Sequence, residues 1–168
     1  MLIREETDAV LVNRISNMPE VLPFISRHGD EVDWSPAIGH PDCVILSNSI
    51  DACIVFERTA ARDWQCTTIF APSCRGRGAL ETGNAMRRYM LANHADMVFG
   101  SIPDRFRHAL WFYRKMGGTP AASVESGGET YVAQENETLL VFRAEIGQDC
   151  LPKDGMIEVL QYPSTEED

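Results

Sequence analysis

The sequence predicts an α+β fold, a mixed sheet with helices crossing its faces. Three observations carry that prediction. Strand-patterned and helix-patterned segments alternate along the 168 residues with no internal repeat. Residues 67–86 run from a strand through a short glycine-rich turn directly into a helix. A second helix is stopped by Gly117-Gly118 and followed by strand-patterned runs. The length fits one domain, and 44% hydrophobic with 24% charged residues is the balance of a globular chain, which argues against disorder and collagen-like repeats.

In chain order, residues 2–6 open as a short strand. Residues 8–25 are helical in pattern but interrupted by Pro19 and Pro23, and Asn17 before Met18-Pro19 reads as an N-cap with proline in the first turn. Gly29, Pro36, Gly39 and Pro41 make 27–41 a loop. Cys43–Ser47 and Ala52–Arg58 are β-rich runs joined by 48–51, a hairpin signal. Residues 64–71 (WQCTTIFA) form a third strand ended by Pro72. Residues 79–93 carry Ala79, Gly83, Met86, Met90 and Asn93 on one helical stripe.

Residues 97–102 make another strand, stopped by Pro103. Ala109, Phe112 and Met116 share one face of a helix over 105–116. Residues 119–124 and 129–145 follow as strands turned at Gly127-Gly128. A single domain is therefore expected over 1–146. Residues 147–168 form an acidic extension, with a short strand at 157–160 and a loose tail from 163.

Composition excludes several roles. No apolar run approaches the ~18 residues of a membrane helix, and MLIREETDAV places acids where a secretory signal has its apolar core. The net charge of −10 argues against a general nucleic-acid binder. Cys43, Cys53, Cys66, Cys74 and Cys150 lack CxxC spacing and read as reduced thiols of a cytoplasmic protein. His28, His40, His94 and His108 show no metal-ligand spacing with them, so no metal site is expected.

The most informative segment is TTIFAPSCRGRGALETGNAM, residues 67–86. N–H groups at a helix start lack intrahelical partners and carry partial positive charge, and glycine lets a phosphate approach the backbone. Arg75 and Arg77 add charge where a pyrophosphate would lie. The segment is neither a Walker loop nor GxGxxG. An ordinary strand–helix turn with solvated arginines is the alternative. Charge distribution favours the anion site: residues 75–115 hold eight basic and three acidic residues, the rest of the chain seven and twenty-two.

These residues resemble the GCN5-related N-acetyltransferase (GNAT) superfamily. Its pyrophosphate loop, Q/R-x-x-G-x-G/A, is similar to Arg75-Gly76-Arg77-Gly78-Ala79-Leu80, with Leu80 in place of the last small residue. Its fourth helix, N-x-x-A-x-x-x-Y-x-x-x-G-F, is similar to FRHALWFYRKMGG: Ala109, Tyr113 and Gly117 are in register, Phe106 replaces Asn and Gly118 replaces Phe. NMPEVLPFI…WSP together with FAPSCRGRGALE also resembles phage-encoded acetyltransferase-like proteins, some of them virion components.

The resemblance implies a splayed sheet of six or seven strands with helices on both faces, and acetyl-CoA as cosubstrate. It places the pyrophosphate on the N–H groups of Arg77, Gly78, Ala79 and Leu80, beside Arg75. It pairs the pantetheine arm like an extra strand with Ile69, Phe70 and Ala71, in a cleft between that strand and 97–102. Tyr113 is in the family's register for the acid that protonates the leaving thiolate, and a backbone N–H near Phe70 would meet the oxygen that gains charge.

The base that takes the amine proton has no obvious residue. The strand before the loop, 64–68, offers only a thiol, and Glu57 on the neighbouring strand is the best carboxylate. Asp104 and His108 are remoter. The implied activity is acetyl transfer to an amine, of a small molecule or a protein, in the cytoplasm. The competing reading is an inactive GNAT-fold binding module or phage virion component among virion proteins, in the host cytoplasm or the virion. A third, an acidic nucleic-acid mimic, follows from the charge of the remainder.

Overall fold

The computed structural model describes residues 2–26, 28–125 and 138–145. Its centre is a seven-stranded mixed sheet of order β1-β2-β3-β4-β5-β7-β6. The strands are β1 (Arg4–Glu5), β2 (Cys43–Ser47), β3 (Ala52–Arg58), β4 (Asp63–Phe70), β5 (Met97–Pro103), β6 (Thr119–Glu125) and β7 (Thr138–Glu145). The helices are α1 (Val10–Ser16), α2 (Arg77–Asn93) and α3 (Arg107–Lys115). All neighbouring strands are antiparallel except β4 and β5. A parallel pair needs a crossover, and α2 supplies it.

Period-2 alternation decides what each face of the sheet covers. Cys53, Val55 and Ile69 point to the α1 side and pack with Val12 and Ile15. Ile54, Phe56 and Trp64 point to the other side and pack with Met86 and Met90 of α2. Ile102 and Phe142 continue that second face under Leu110 and Tyr113 of α3 and Met116 at its C-cap.

Several local expectations change. Asn17 does not start a helix; it is the C-cap residue of α1. Its amide nitrogen donates to the carbonyls of Asn13 (2.9 Å) and Val32 (2.8 Å), and its oxygen accepts from the Val32 N–H at 2.8 Å. The two bonds to Val32 tie the Asn17 side chain to the loop after α1 rather than to the Pro19 segment. The start of α2, by contrast, is as expected: the helix begins at Arg77, within two residues of Ala79. Asn93, placed on its apolar stripe, is exposed and donates to the Tyr89 carbonyl at 2.8 Å. Pro103 ends β5 from inside, paired with Leu139, and Pro120 is tolerated because β6 is an edge strand with a bulge between Pro120 and Ala122.

The Gly117-Gly118 stop is as expected. Gly117 has φ 79°, and the Gly118 N–H donates to the Tyr113 carbonyl at 2.9 Å. The expected turn at Gly127-Gly128 and the extension at 147–168 lie outside the described residues.

Candidate active site

β4 and β5 part company early. Asp63, Trp64 and Gln65 pair with Met97, Val98 and Phe99, and there the ladder ends. β4 continues on β3 as far as Phe70, while β5 continues on β7 as far as Pro103. The two strands are parallel, so their C-terminal halves, 66–70 and 100–103, flank a split that opens toward the start of α2. Ile69 and Phe70 lie on this β4 edge. Ala71, expected with them, is already engaged: its N–H donates to the Asp51 carbonyl at 2.8 Å and its carbonyl accepts from the Cys74 N–H at 2.9 Å.

The glycine-arginine turn stands at the open end of the split. Gly76 takes φ 63° and ψ −131° as the residue before α2, a conformation open to glycine and costly for other residues. A Cβ on Gly78 would meet no heavy atom within 4 Å, so the backbone of the first turn faces open space. The N–H groups of Arg77, Gly78 and Ala79 head the helix, whereas that of Leu80 donates to the Gly76 carbonyl at 3.3 Å. The expected set of four N–H groups is thus a set of three. Arg77 is paired with Glu81 one turn on, at 2.8 Å. Arg75 is exposed and has no ion-pair partner among the described residues.

Tyr113 reaches the split from α3. Its hydroxyl lies 2.9 Å from Thr68 Oγ1 and 3.2 Å from Cys66 Sγ, both on β4. It also crowds β5: a Cβ on Gly100 would stand 2.9 Å from Tyr113 Cε1 and 3.0 Å from its oxygen. The phenol therefore bridges the two diverging strands from the α3 side. Burial, reinforced by the Cys66 thiol, holds its pKa well above the usual phenol range, while the Thr68 hydrogen bond acts in the opposite sense. It is a protonated donor at neutral pH. A partly open pocket surrounds it, lined among others by Cys66, Thr68, Arg87, Phe99 and Gly118.

Glu57 is not brought to Tyr113. It follows Cys53 and Val55 on the α1 face of β3, paired with Cys43 and Gln65, the last β4 residue before the split. Half-burial raises its pKa by desolvation. Tyr113 and Glu57 thus occupy opposite faces of the sheet.

Sequence reasoning missed Gly100, Cys66, Thr68 and Arg87. A glycine inside a strand is itself a sign of close approach, and Cys66 and Thr68 share a face by period-2 alternation. Arg87 is 8% exposed and sits on the pocket wall, where its charge partly offsets the effect of burial on Cys66. No local pattern marks it, because on α2 it reads as one more solvated arginine.

No family model and no curated protein matches the chain. Solved structures do. Spermidine N-acetyltransferase from Vibrio cholerae, in complex with CoA and spermine, is 10% identical, with a TM-score of 0.67 over 86% of this chain and 94% of that one. Ribosomal-protein-S5-alanine acetyltransferase from Vibrio fischeri is 13% identical, with a TM-score of 0.66 over 89% and 94%. The yncA structure from Salmonella typhimurium, a putative acetyltransferase with its cofactor acetyl-CoA, is 14% identical, with a TM-score of 0.63 over 91% and 98%. The chain has the GNAT fold that these acetyltransferases share. The three named here are bacterial, and the narrower likeness to phage proteins rests on its short sequence phrases alone.

Proposed function

We propose that this chain is an acetyl-CoA-dependent N-acetyltransferase acting on an amine acceptor. The observation that carries the reading is the β4–β5 split, with a buried phenol on one side and an open helix start at its mouth. An extended thioester-bearing arm fits such an opening because the β4 edge at 66–70 has lost its β5 partner. The fold neighbours whose names include CoA, acetyl-CoA and spermine support the cosubstrate and the amine class.

Acetyl-CoA supplies an activated acetyl group and a thiolate leaving group. Arg77, Gly78 and Ala79 would hold its pyrophosphate through backbone N–H groups, with Arg75 adding charge. Ile69 and Phe70 would pair with the pantetheine arm. Tyr113 would donate its proton to the departing sulfur, a role its high pKa allows at neutral pH. Glu57, on the other face with its carboxyl pKa raised by half-burial, would accept the amine proton, directly or through water. The amine would then enter from the α1 side and the thiol leave on the α3 side.

A catalytically silent binding module is favoured by one observation: Glu57 and Tyr113 do not meet, and β4 carries no ionisable base other than Cys66 on the Tyr113 face. Calorimetry with CoA, followed by thiol release from acetyl-CoA across a panel of amines and peptides, separates the two. The acyltransferase reading expects binding with Kd below about 1 mM and turnover with at least one amine. Binding without turnover across the panel favours the silent module, and no binding at millimolar CoA rejects both.

A further inference from the structure

We propose that Thr68 is a positioning residue for Tyr113: its hydroxyl donates to the tyrosine oxygen and aims the phenol O–H at sulfur, at Cys66 Sγ when the split is empty and at the departing coenzyme sulfur when it is filled. The proposal rests on the acyl-transfer reading for its second half only. The first half is a property of the free protein.

The geometry is specific. Cys66 and Thr68 are two residues apart on β4, so their side chains leave the same face and bracket one point above it. The Tyr113 oxygen occupies that point, 2.9 Å from Thr68 Oγ1 and 3.2 Å from Cys66 Sγ. A phenol has one proton to give, so at most one of the two neighbours accepts from it, and the other can only donate. Thr68 has an O–H to give. Cys66 presents a soft sulfur acceptor, with burial pushing its thiol pKa up to about 11. Gly100 lies on the remaining side, where the ring packs so close to β5 that a Cβ on residue 100 would stand 2.9 Å from Tyr113 Cε1 and 3.0 Å from its oxygen.

The consequence concerns the proton. As the carbon–sulfur bond breaks, its electron pair stays on sulfur, and Tyr113 transfers its proton there. The phenolate left behind is stabilised by the Thr68 O–H, and the proton lost by the amine returns to it through solvent. Cys66 holds the place of a sulfur acceptor in the resting protein, so the phenol is already aimed before the thioester arrives.

The test combines a spectroscopic and a kinetic readout. Tyrosine is replaced throughout by 3-fluorotyrosine, which lowers phenol pKa values and reports ionisation through its fluorine shift, and the Tyr113 signal among the four tyrosines is assigned by its loss in Tyr113→Phe. In the 19F titration, Thr68→Val raises the Tyr113 pKa and Thr68→Ser restores it. In thiol release, Thr68→Val lowers kcat roughly ten- to a hundredfold with the KM for acetyl-CoA within about twofold, and Thr68→Ser recovers most of the rate. A Tyr113 pKa that falls or stays constant in Thr68→Val overturns the proposal, because it means that the phenol donates to Thr68 or ignores it. A raised pKa with kcat unchanged in a working enzyme overturns the catalytic half. If wild type binds CoA but turns over no amine, the acyl-transfer reading fails, and the titration alone still decides the hydrogen-bond direction.

Discussion

Gly100 and Tyr113 are complementary in shape: the tyrosine ring stands 2.9 Å from the position a Cβ on residue 100 would take. The contact fixes the phenol between β4 and β5 where the strands separate. Gly100→Ala would push the ring away from β5, or push β5 away from β4. The expected result is a loss of the Tyr113–Thr68 geometry, a cost in stability of about 1–3 kcal/mol and a fall in kcat. Denaturant unfolding and thiol-release kinetics check it; wild-type kcat in Gly100→Ala would remove the contact from the mechanism.

The helix start at Gly78 faces open space, so a side chain there is tolerated by the fold but not by a bound phosphate. Gly78→Asp adds a carboxylate where the N–H groups of Arg77, Gly78 and Ala79 would hold the pyrophosphate. CoA affinity should fall by on the order of a hundredfold or more while thermal stability changes little. Calorimetry on both proteins, with a melting curve for each, separates the two effects.

Tyr113→Phe keeps the ring packed on Gly100 and deletes only the proton donor. The expected fall in kcat is ~10²–10⁴-fold, with CoA affinity nearly unchanged. Glu57→Gln should cost less, since Glu57 lies on the far face of the sheet and water can replace it in accepting the amine proton. Equal rates in wild type and Tyr113→Phe would exclude the phenol as the acid.

Glu57 also makes a prediction about stability. Desolvation raises its folded-state pKa, so the folded protein holds that proton to higher pH than the unfolded chain does. Its favourable contribution is complete below the unfolded carboxyl pKa, about 4.3, and is lost as pH rises through the folded value. Glu57→Gln, which cannot ionise, should therefore raise the melting temperature relative to wild type at pH 7. The gain should shrink toward zero by about pH 4. A gain that is constant with pH would mean that ionisation of Glu57 is not its cause.

The sequence by itself determined the order of the elements and the glycine-arginine turn before α2. Alternation at 43–47, 52–58 and 64–71 and the glycine-rich joint before α2 are local signals, written within a few residues of where they act. Tyr113 came from the resemblance instead, since Ala109, Tyr113 and Gly117 match the register of the family's helix motif. Asn17 shows the limit: its cap-like setting was local, but its amide is bonded across the α1 loop to Val32.

Tertiary structure alone decided which residues meet in the split. Gly100, Cys66, Thr68 and Tyr113 come from three elements, and no periodicity within one element records a contact between others. Pairing β4 with β5 for only three residues opened the cleft. The face on which each strand residue falls, set by register, put Glu57 opposite Tyr113. A one-residue change in that register would reverse the assignment, since side chains alternate between faces with every step along a strand.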